Sequence, residues 1–523
     1  MKSNFGRGFI VLTISGVVCK ILGAFFRLPL TYILGTEGLG VFQLVMSVYS
    51  FALILSSGGI TVTLAKLIAS ARAKGQYGKI RWYIYLSLVT CVVVSFLFGL
   101  VFFFLSKQIA SLQQTQYASV TYRFFFPLLL FTGLVSLFRG VYQGYQNMTP
   151  TGVSQIIEQL CKFVFGLIFA YLLSKISLSY GVLGAFLGIL SGEVVAFFYL
   201  ILAKHTIKLN KYKINRGSKR NFYSYLIPAT FGLTISPFVH FLDSIIAINR
   251  LTVAGITPSM ATSLYGLQTG VVGSILNFPV IISVSLSTAL LPYLSFENEK
   301  EKNEVEIKKS FALLWYSVLP ITLGLLAISL PLYQVVYPFF DKRMFMYAVR
   351  LTAIGAISTI LLSLMQFLTS VLQAKGHFKF VMLSLIFGGI GKVLCTIFLC
   401  AIPEINVLGL SIGNVAFGLI VVIFSLIKLK GMKFATLDNF FVPLLSSLVM
   451  LVVTSYVSTV INISPIWKLI VSVLIGGSIY ILLTLPLLRG FKNDFVGKKG
   501  EGRKSEQKRV VSGNIQKDES ATK

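Results

Sequence analysis

Residues 180–203 read YGVLGAFLGILSGEVVAFFYLILA, twenty-four positions with one charged side chain, Glu193. A helix rises about 1.5 Å per residue, and crossing hydrocarbon takes about 20 residues, so this stretch is long enough to span a membrane. A barrel strand would be only about 10 residues long and would alternate polar with apolar positions, which this stretch does not do. Comparable runs fall at 8–26, 39–65, 82–106, 118–138, 153–174, 222–248, 264–292, 310–332, 346–372, 379–401, 405–427, 440–461 and 466–488, making fourteen spans in all. Lipid offers no partner to exposed backbone N–H and C=O groups, so each run is expected to be a helix.

The whole chain agrees with this reading. Its 523 residues are 55% hydrophobic and only 12% charged, whereas a soluble protein carries about 25% charged residues. That excludes a soluble enzyme and a disordered chain alike. A net charge of +29 would suggest nucleic acid in a soluble protein, but here it is a matter of position, and no nucleic-acid partner is expected. With the N-terminus inside, 34 of the 46 Lys and Arg fall on cytoplasmic segments and 8 on external ones. The remaining four, Lys20, Arg123, Lys162 and Lys392, lie within spans. The asymmetry follows the positive-inside rule and predicts a multi-pass plasma-membrane protein with both termini cytoplasmic. Lys2 and Arg7 precede the first apolar run as in a signal peptide. The run continues past Lys20 without a small-residue cleavage site, so it reads as a retained first helix.

An internal repeat organises the spans. Val141-x-Gln143 followed by Lys162 recurs as Val371-x-Gln373 followed by Lys392, an offset of 230. Val182-Leu-Gly184 recurs as Val407-Leu-Gly409, and Leu12-Thr-Ile-Ser15 as Leu233-Thr-Ile-Ser236, at offsets of 225 and 221. Six spans separate the copies, so the halves share one orientation, the parallel-repeat design of secondary transporters. The expected division is an N-lobe over 1–203, a basic cytoplasmic linker over 204–221, a C-lobe over 222–428, two further spans over 440–488, and a basic disordered cytoplasmic tail over 489–523. The tail reads first as an anchor attracted to anionic lipid.

Little in the chain suggests catalysis. There is no G-x-x-x-x-G-K-[ST] phosphate loop, the three histidines form no H-E-x-x-H pair, and the five cysteines (Cys19, Cys91, Cys161, Cys395, Cys400) lie singly in apolar runs. Glu297 to Glu306, interleaved with Lys300 and Lys302, reads as a solvated linker. No cofactor or metal is expected. Any driving force would be a coupling ion, Na+ or H+, or the membrane potential.

The informative residues are charges inside the spans, where an ionisable side chain by default faces an aqueous cavity. Lys20 and Arg27 lie seven residues apart, on one face of span 1. Lys162 and Lys392 occupy repeat-equivalent positions. Glu158 stands one turn before Lys162, so these two could neutralise one another. Glu193 is mid-span, and Asp243 lies seven residues before Arg250. For Arg123, Arg139 and Arg250, near span ends, the competing reading is a long stem reaching the interface. Lys392 could equally be tied to helix-terminal carbonyls or contact a substrate. Substrate-binding candidates are Lys20, Arg27, Arg139, Glu158, Lys162, Asp243 and Arg250, with Glu193 and Asp243 as candidate coupling groups. Ser56-Ser57-Gly58-Gly59 and Gly388-Gly389-x-Gly391 are small-residue clusters suited to close helix packing.

Several strings carry a family resemblance. Gly16-x-x-x-Lys20-Ile-Leu-Gly23, Arg27-x-Pro29 and Ile33-Leu-Gly35-x-Glu37-Gly-Leu-Gly40 resemble the N-terminus of the stage V sporulation protein B group, polysaccharide biosynthesis proteins of the multidrug, oligosaccharidyl-lipid and polysaccharide exporter superfamily. Arg139-Gly-x-Tyr-Gln-Gly144 and Met148-x-Pro150-Thr-x-x-Ser154-Gln-x-x-Glu158-Gln159 are similar to its segment across spans 4 and 5. Ile227-Pro228, Leu242-Asp243-Ser244, Leu264-Tyr-Gly266 and Leu291-Pro292-x-Leu-Ser295 follow in order. The resemblance implies a two-lobe fold and transport of an undecaprenyl-linked precursor. More distantly the chain resembles the lipid II flippases, where a span 1 motif supplies a cavity cation, a role that would fall to Lys20. Arg27 stands one residue from that family's second cation. An arginine five residues before a Phe-Pro proline in those flippases is replaced here by Ser274.

These features predict a flippase for an undecaprenyl-pyrophosphate-linked saccharide, lipid II or a related wall precursor, working by alternating access among membrane lipids and possible wall-synthesis partners. The rivals are a multidrug or cation antiporter of the same fold and a non-transporting scaffold for wall synthesis. The charge asymmetry makes the topology testable. An impermeant thiol reagent added to intact cells should leave cysteines placed at residue 500 and in the 204–220 loop unlabelled, and labelling of either would overturn the assigned orientation.

Overall fold

The computed structural model describes residues 2–203, 218–296, 300–430, 437–461 and 463–485. Most of the basic linker and the basic tail therefore lie outside the described residues. Among the described residues the chain is all helix and turn. Thirteen stretches are long and apolar enough to cross a membrane. The first, Ile14–Ala73, holds 60 residues, about 90 Å of helix and enough for two crossings. Counted as two, it brings the candidate spans among the described residues to fourteen by length and composition, close to the number expected.

That first stretch departs from the sequence reading, which places a loop near residue 35. Helix α1 runs unbroken over Lys2–Leu53 except at Gly35, where φ 70° and ψ −179° turn the chain sharply. This backbone region is open only to glycine, so one residue does the work of a loop. A π-helical turn over Ile54–Gly58 joins α1 to α2, Gly59–Ala73. There follow α3 (Tyr77–Phe104), α4 (Ser106–Leu112), α5 (Ser119–Arg123), α6 (Phe125–Gly144), α7 (Thr149–Ser174) and α8 (Leu178–Leu202). The second part begins with α9 (Lys219–Val253) and α10 (Pro258–Gly266), then a π-helical segment at Leu267–Val272 and α11 (Gly273–Phe296). It continues with α12 (Lys300–Ala327), α13 (Ser329–Val336), α14 (Lys342–Ala374), α15 (Phe378–Leu399), α16 (Leu408–Lys428) and α17 (Leu437–Val460), and ends at α18, Pro465–Leu485. The stretch expected as a solvated linker is helical from Lys300 onward, forming the first turns of α12.

Helix starts follow local chemistry. The Ser177 hydroxyl accepts from the Tyr180 N–H ahead of α8, and Asp341 Oδ1 accepts from the Met344 N–H at 2.7 Å ahead of α14. Pro150 and Pro258 sit in the first turns of α7 and α10, where a missing N–H leaves no bond unmade. Phe96, Leu97, Phe103 and Phe104 of α3, with Leu474 and Leu482 of α18, are exposed. In water such a belt would be an aggregation surface, whereas in lipid it is ordinary solvent-facing surface.

Lipid gives apolar side chains no reason to prefer one another, so helix contact depends on close packing. Gly184, Gly188 and Gly192 recur every fourth residue on one face of α8. A methyl group added at these positions would strike the backbone of Phe169–Ala170, of Gly166 and of Glu158 in α7. The two helices thus touch backbone to backbone in antiparallel register. Across the molecule, Gly40 of α1 meets the Thr262 carbonyl and Gly266 of α10, while Gly59 of α2 meets Leu226 and Thr230 of α9. In α15, Gly388 packs on Phe417 and Val421 of α16, and Gly389 packs on Val239 of α9. Both small-residue clusters noted in the sequence are therefore packing sites. An aromatic core of Phe26, Phe42, Tyr49, Phe125 and Phe186 fills the space between α1, α6 and α8.

Gly188→Ala should be destabilising by about 1–3 kcal/mol, since the added carbon has rigid backbone in its way. Gly232→Ala, where a methyl group meets nothing within 4 Å, should be neutral or slightly stabilising. Thermal unfolding in detergent checks the pair, and equal melting temperatures would refute the backbone contact.

Candidate anion-binding site

The site begins with the pattern on α1. Lys20 and Arg27 share a face, and Gly23 and Ala24 between them are small enough to leave that face open. They border a cavity of about 310 Å³ whose other walls come from Phe26, Phe42 and Met46 of α1, Lys162 of α7, and Ser274, Asn277, Val280 and Ile281 of α11. Three cationic side chains from two helices therefore meet in one space. Lys162 Nζ stands over the Phe26 ring at 5.3 Å from its centroid, a contact that favours the ammonium without neutralising it. Arg27 Nη1 donates to Ser274 Oγ at 3.1 Å, and the Ser274 hydroxyl in turn donates to the Gly270 carbonyl.

No carboxylate among the described residues lines this cavity. The pairing expected between Glu158 and Lys162 does not occur. Instead Glu158 Oε2 accepts from Arg139 Nη2 at 2.8 Å, and Glu158 Oε1 accepts from Gln159 Nε2 at 3.0 Å. Arg139 Nε also donates to Ser154 Oγ at 2.9 Å. Magnitudes explain the choice. An i,i+4 pair along one helix contributes about 0.2–0.5 kcal/mol, whereas a charge-assisted hydrogen bond in a partly buried site contributes about 1.5–3 kcal/mol. Arg139 is therefore a partner of α7 and not a snorkelling stem.

Asp243 and Lys392 form a second closed unit. Lys392 Nζ lies 2.6 Å from Asp243 Oδ2, with both side chains almost wholly buried. Thr396 Oγ1 donates to Asp243 Oδ1 at 3.0 Å, and Lys392 Nζ donates to His240 Nδ1 at 3.3 Å. An ammonium can only donate, so His240 Nδ1 accepts and the ring proton sits on Nε2. Lys392 is thus tied to a carboxylate, neither to helix-terminal carbonyls nor to open space. The two lysines paired by the sequence repeat have different surroundings: Lys162 faces the cavity and Lys392 is locked.

Arg250 lies in the last turn of α9, outside the cavity lining, and its buried Nε has no hydrogen-bond partner among the described residues. Arg123 Nε makes a long bond to Ser106 Oγ at 3.4 Å. Glu193, 4% exposed, accepts at Oε1 from Thr132 Oγ1 at 3.1 Å. Its Oε2 is buried without a hydrogen-bond partner among the described residues. Of the residues singled out in the sequence, Lys20, Arg27 and Lys162 come together, while Arg139 with Glu158 and Asp243 with Lys392 are mutually satisfied. Sequence reading missed Asn277, three residues beyond Ser274 and so on the same face of α11. It also missed Tyr49, Thr132 and His240, uncharged groups that carry no signal in an apolar run.

A second cavity, of about 480 Å³, lies between α12, α17 and α18. Its walls include Ile321, Leu325, Ile328, Met450, Val473 and Ile481. It is an apolar groove with a few hydroxyl groups.

Similarity to known proteins agrees with this architecture. Stage V sporulation protein B of Bacillus subtilis (strain 168) is 30% identical over 318 residues, 58% of this chain and 60% of that protein. The chain thus spans less than two thirds of that relative's length. Lipid II flippase MurJ of the same organism is 24% identical over 446 residues, 80% of this chain and 81% of that protein. Among solved structures, lipid II flippase MurJ in an inward closed conformation superposes with a TM-score of 0.72 at 16% identity, covering 92% of this chain and 99% of that one. An inward-facing multidrug resistance MATE family transporter of the MOP superfamily gives 0.61 at 14% identity, covering 79% and 95%. The fold is therefore that of MOP-superfamily transporters. The polysaccharide biosynthesis protein family matches residues 5–296, more than half of the sequence, and this multi-pass membrane protein belongs to that family.

Proposed function

We propose that this protein is a membrane flippase or exporter, not an enzyme, and that it translocates an undecaprenyl-pyrophosphate-linked saccharide, lipid II or a related wall or polysaccharide precursor, by alternating access. One observation carries the reading: Lys20, Arg27 and Lys162 share a cavity that no described carboxylate lines. A pyrophosphate cannot cross hydrocarbon unaided, because an ion taken from water into a low-dielectric medium loses its solvation. Three cations replace part of that solvation. Arg27 offers a planar fork, and the two lysines offer compact charges. They do not enclose the anion, and transport requires that they do not, since the ligand must leave on the other side. Ser274 and Asn277 supply neutral hydrogen-bonding groups on the opposing wall. The apolar groove between α12, α17 and α18 has the chemistry to hold part of a prenyl chain while the headgroup occupies the polar cavity.

The relatives named above, a lipid II flippase and a sporulation protein, support this substrate class, with membrane lipids and possible wall-synthesis proteins as partners. The MATE-like fold supports a second reading, a multidrug or cation antiporter. A cationic drug would need carboxylates in the cavity. Here Glu158 and Asp243 are consumed by Arg139 and Lys392, which favours the anionic substrate. The same cavity argues against a scaffold without transport.

Each of Lys20→Gln, Arg27→Gln and Lys162→Gln removes one charge-assisted contact of about 1.5–3 kcal/mol. Each should therefore weaken substrate binding roughly ten- to a hundredfold. Complementation at normal expression should fail for Lys20→Ala and Arg27→Ala with protein levels unchanged, and Lys20→Arg should retain more activity than Lys20→Gln. Lipid-linked precursor transport in proteoliposomes is the measurement. Wild-type rates from the Lys20→Gln Arg27→Gln double variant would refute the anion cavity. The undecaprenyl-linked intermediate that accumulates on depletion identifies the glycan.

A further inference from the structure

Glu193 is a carboxyl group that the anion cavity does not use. It is buried in the middle of α8, one oxygen bonded to Thr132 and the other unpartnered. The Thr132 hydroxyl has one proton and three neighbours: the Leu128 carbonyl at 2.9 Å, the Tyr49 hydroxyl at 3.0 Å and Glu193 Oε1 at 3.1 Å. Two arrangements satisfy it. With Glu193 ionised, Thr132 donates to Oε1. With Glu193 protonated, the carboxyl donates to Thr132 Oγ1, and Thr132 turns its proton to the Leu128 carbonyl. The local network can therefore hold either protonation state.

The helix register ties this group to the cavity. Gly188 packs on Gly166, and Gly192 packs on the backbone of Glu158, where an added methyl group would strike the Glu158 carbonyl. In the antiparallel α7–α8 pair, Glu193 is thus level with residues 158–162 of α7, the turn that carries Lys162. The charged groups acting on Glu193 are, in falling order, Glu158 of α7, Arg139 of α6 and Lys162 of α7. Tyr49 of α1 reaches it through Thr132. Helix α5 also packs on α8, but its Tyr122 and Arg123 bond to Gln113 and Ser106. Arg139 is bonded to Glu158, so of the two cations that favour an ionised Glu193, Lys162 is the one without a bonded carboxylate and the one that lines the cavity.

We infer that Glu193 is a proton-binding site coupled to the cavity, so that binding of a diphosphate headgroup is accompanied by uptake of one proton from solvent at Glu193. This rests on the cavity's being the anion site. An anion that engages Lys162 takes the counter-charge from Glu193, and a proton then removes the unmatched negative charge. The linkage is reciprocal: protonating Glu193 frees Lys162 for the anion. A sodium ion is the weaker fit. It prefers about six or more oxygen ligands arranged around it, whereas the described bonds group the Glu193 carboxyl, the Thr132 hydroxyl, the Leu128 carbonyl and the Tyr49 hydroxyl, the last two bonded to Thr132 and not to Glu193. The sign of the pH effect follows. Binding with proton uptake weakens as pH rises, by at most about tenfold per pH unit for one proton.

The test uses the full chain in lipid nanodiscs with undecaprenyl diphosphate as the probe. Calorimetry in two buffers of different protonation enthalpy counts protons exchanged on binding. Cationic contacts also draw protons off the probe, so the difference between wild type and Glu193→Gln reads the site. Wild type should take up as much as one proton more than Glu193→Gln, and the variant's affinity should lose most of its pH dependence, while Glu193→Asp should keep the uptake. Infrared difference spectra of wild type alone should gain a protonated-carboxyl C=O band on binding. Absence of that band would overturn the inference even if Glu193→Gln did not fold. Equal proton counts in the two proteins, or a dependence on Na+ without one on pH, would overturn the coupling and leave the cavity reading intact. Failure of wild type to bind the probe would remove both.

Discussion

A charge inside a membrane must be matched within the protein or face water, because hydrocarbon supplies neither counter-ion nor hydrogen bond. The arrangement of the spans around the cavity follows from that constraint. Arg139 and Glu158 close on each other between α6 and α7, and Lys392 and Asp243 do so between α15 and α9. Each pair is completed by neutral groups, Ser154 and Gln159 in the first and Thr396 and His240 in the second. Breaking a buried pair leaves an uncompensated charge, at a cost of about 3–5 kcal/mol, so these pairs also hold their helices in register. What remains is a set of cations without an ion pair among the described residues, Lys20, Arg27 and Lys162, and they surround a cavity that no described carboxylate lines.

Backbone approach makes such pairings geometrically possible. Glycines every fourth residue let α8 lie directly on α7, which sets the level of Glu158, Lys162 and Glu193 together. A bulkier face would separate the helices and carry Glu193 away from the turn that bears Lys162. Gly35 has a different part. Its left-handed backbone lets α1 reverse direction without a loop, so the segment carrying Lys20 and Arg27 and the segment reaching α10 belong to one continuous element. Arg27 is held by Ser274 across the boundary between the two parts of the chain, so this bond ties α1 to α11 at the cavity.

The two parts use similar residues unequally. Lys162 and Lys392 occupy corresponding places in the sequence repeat, yet among the described residues Lys392 is ion-paired with a carboxylate and Lys162 is not. One part of the molecule thus stores its cation and the other presents it. An anionic ligand entering the cavity therefore meets its charge mainly on α1 and α7, and meets hydroxyl and amide groups on α11.

Most of the architecture was legible in the amino-acid order. The length of the apolar runs requires helices, and seven-residue spacing puts Lys20 and Arg27 on one face. These are one-dimensional properties, set by helical rise and by the cost of burying charge. Partner choice was not legible. Glu158 takes Arg139, nineteen residues away, in preference to Lys162 four residues away, and His240 reaches Lys392 across 152 residues. Such choices depend on which helix faces lie within about 3 Å of one another, and helix packing sets that distance, as where Gly389 of α15 packs on Val239 of α9 beside His240. The uncharged members of the site, Asn277, Thr132 and Tyr49, were hidden for the same reason. In an apolar run a hydroxyl or amide group is unremarkable until tertiary packing puts a charge beside it.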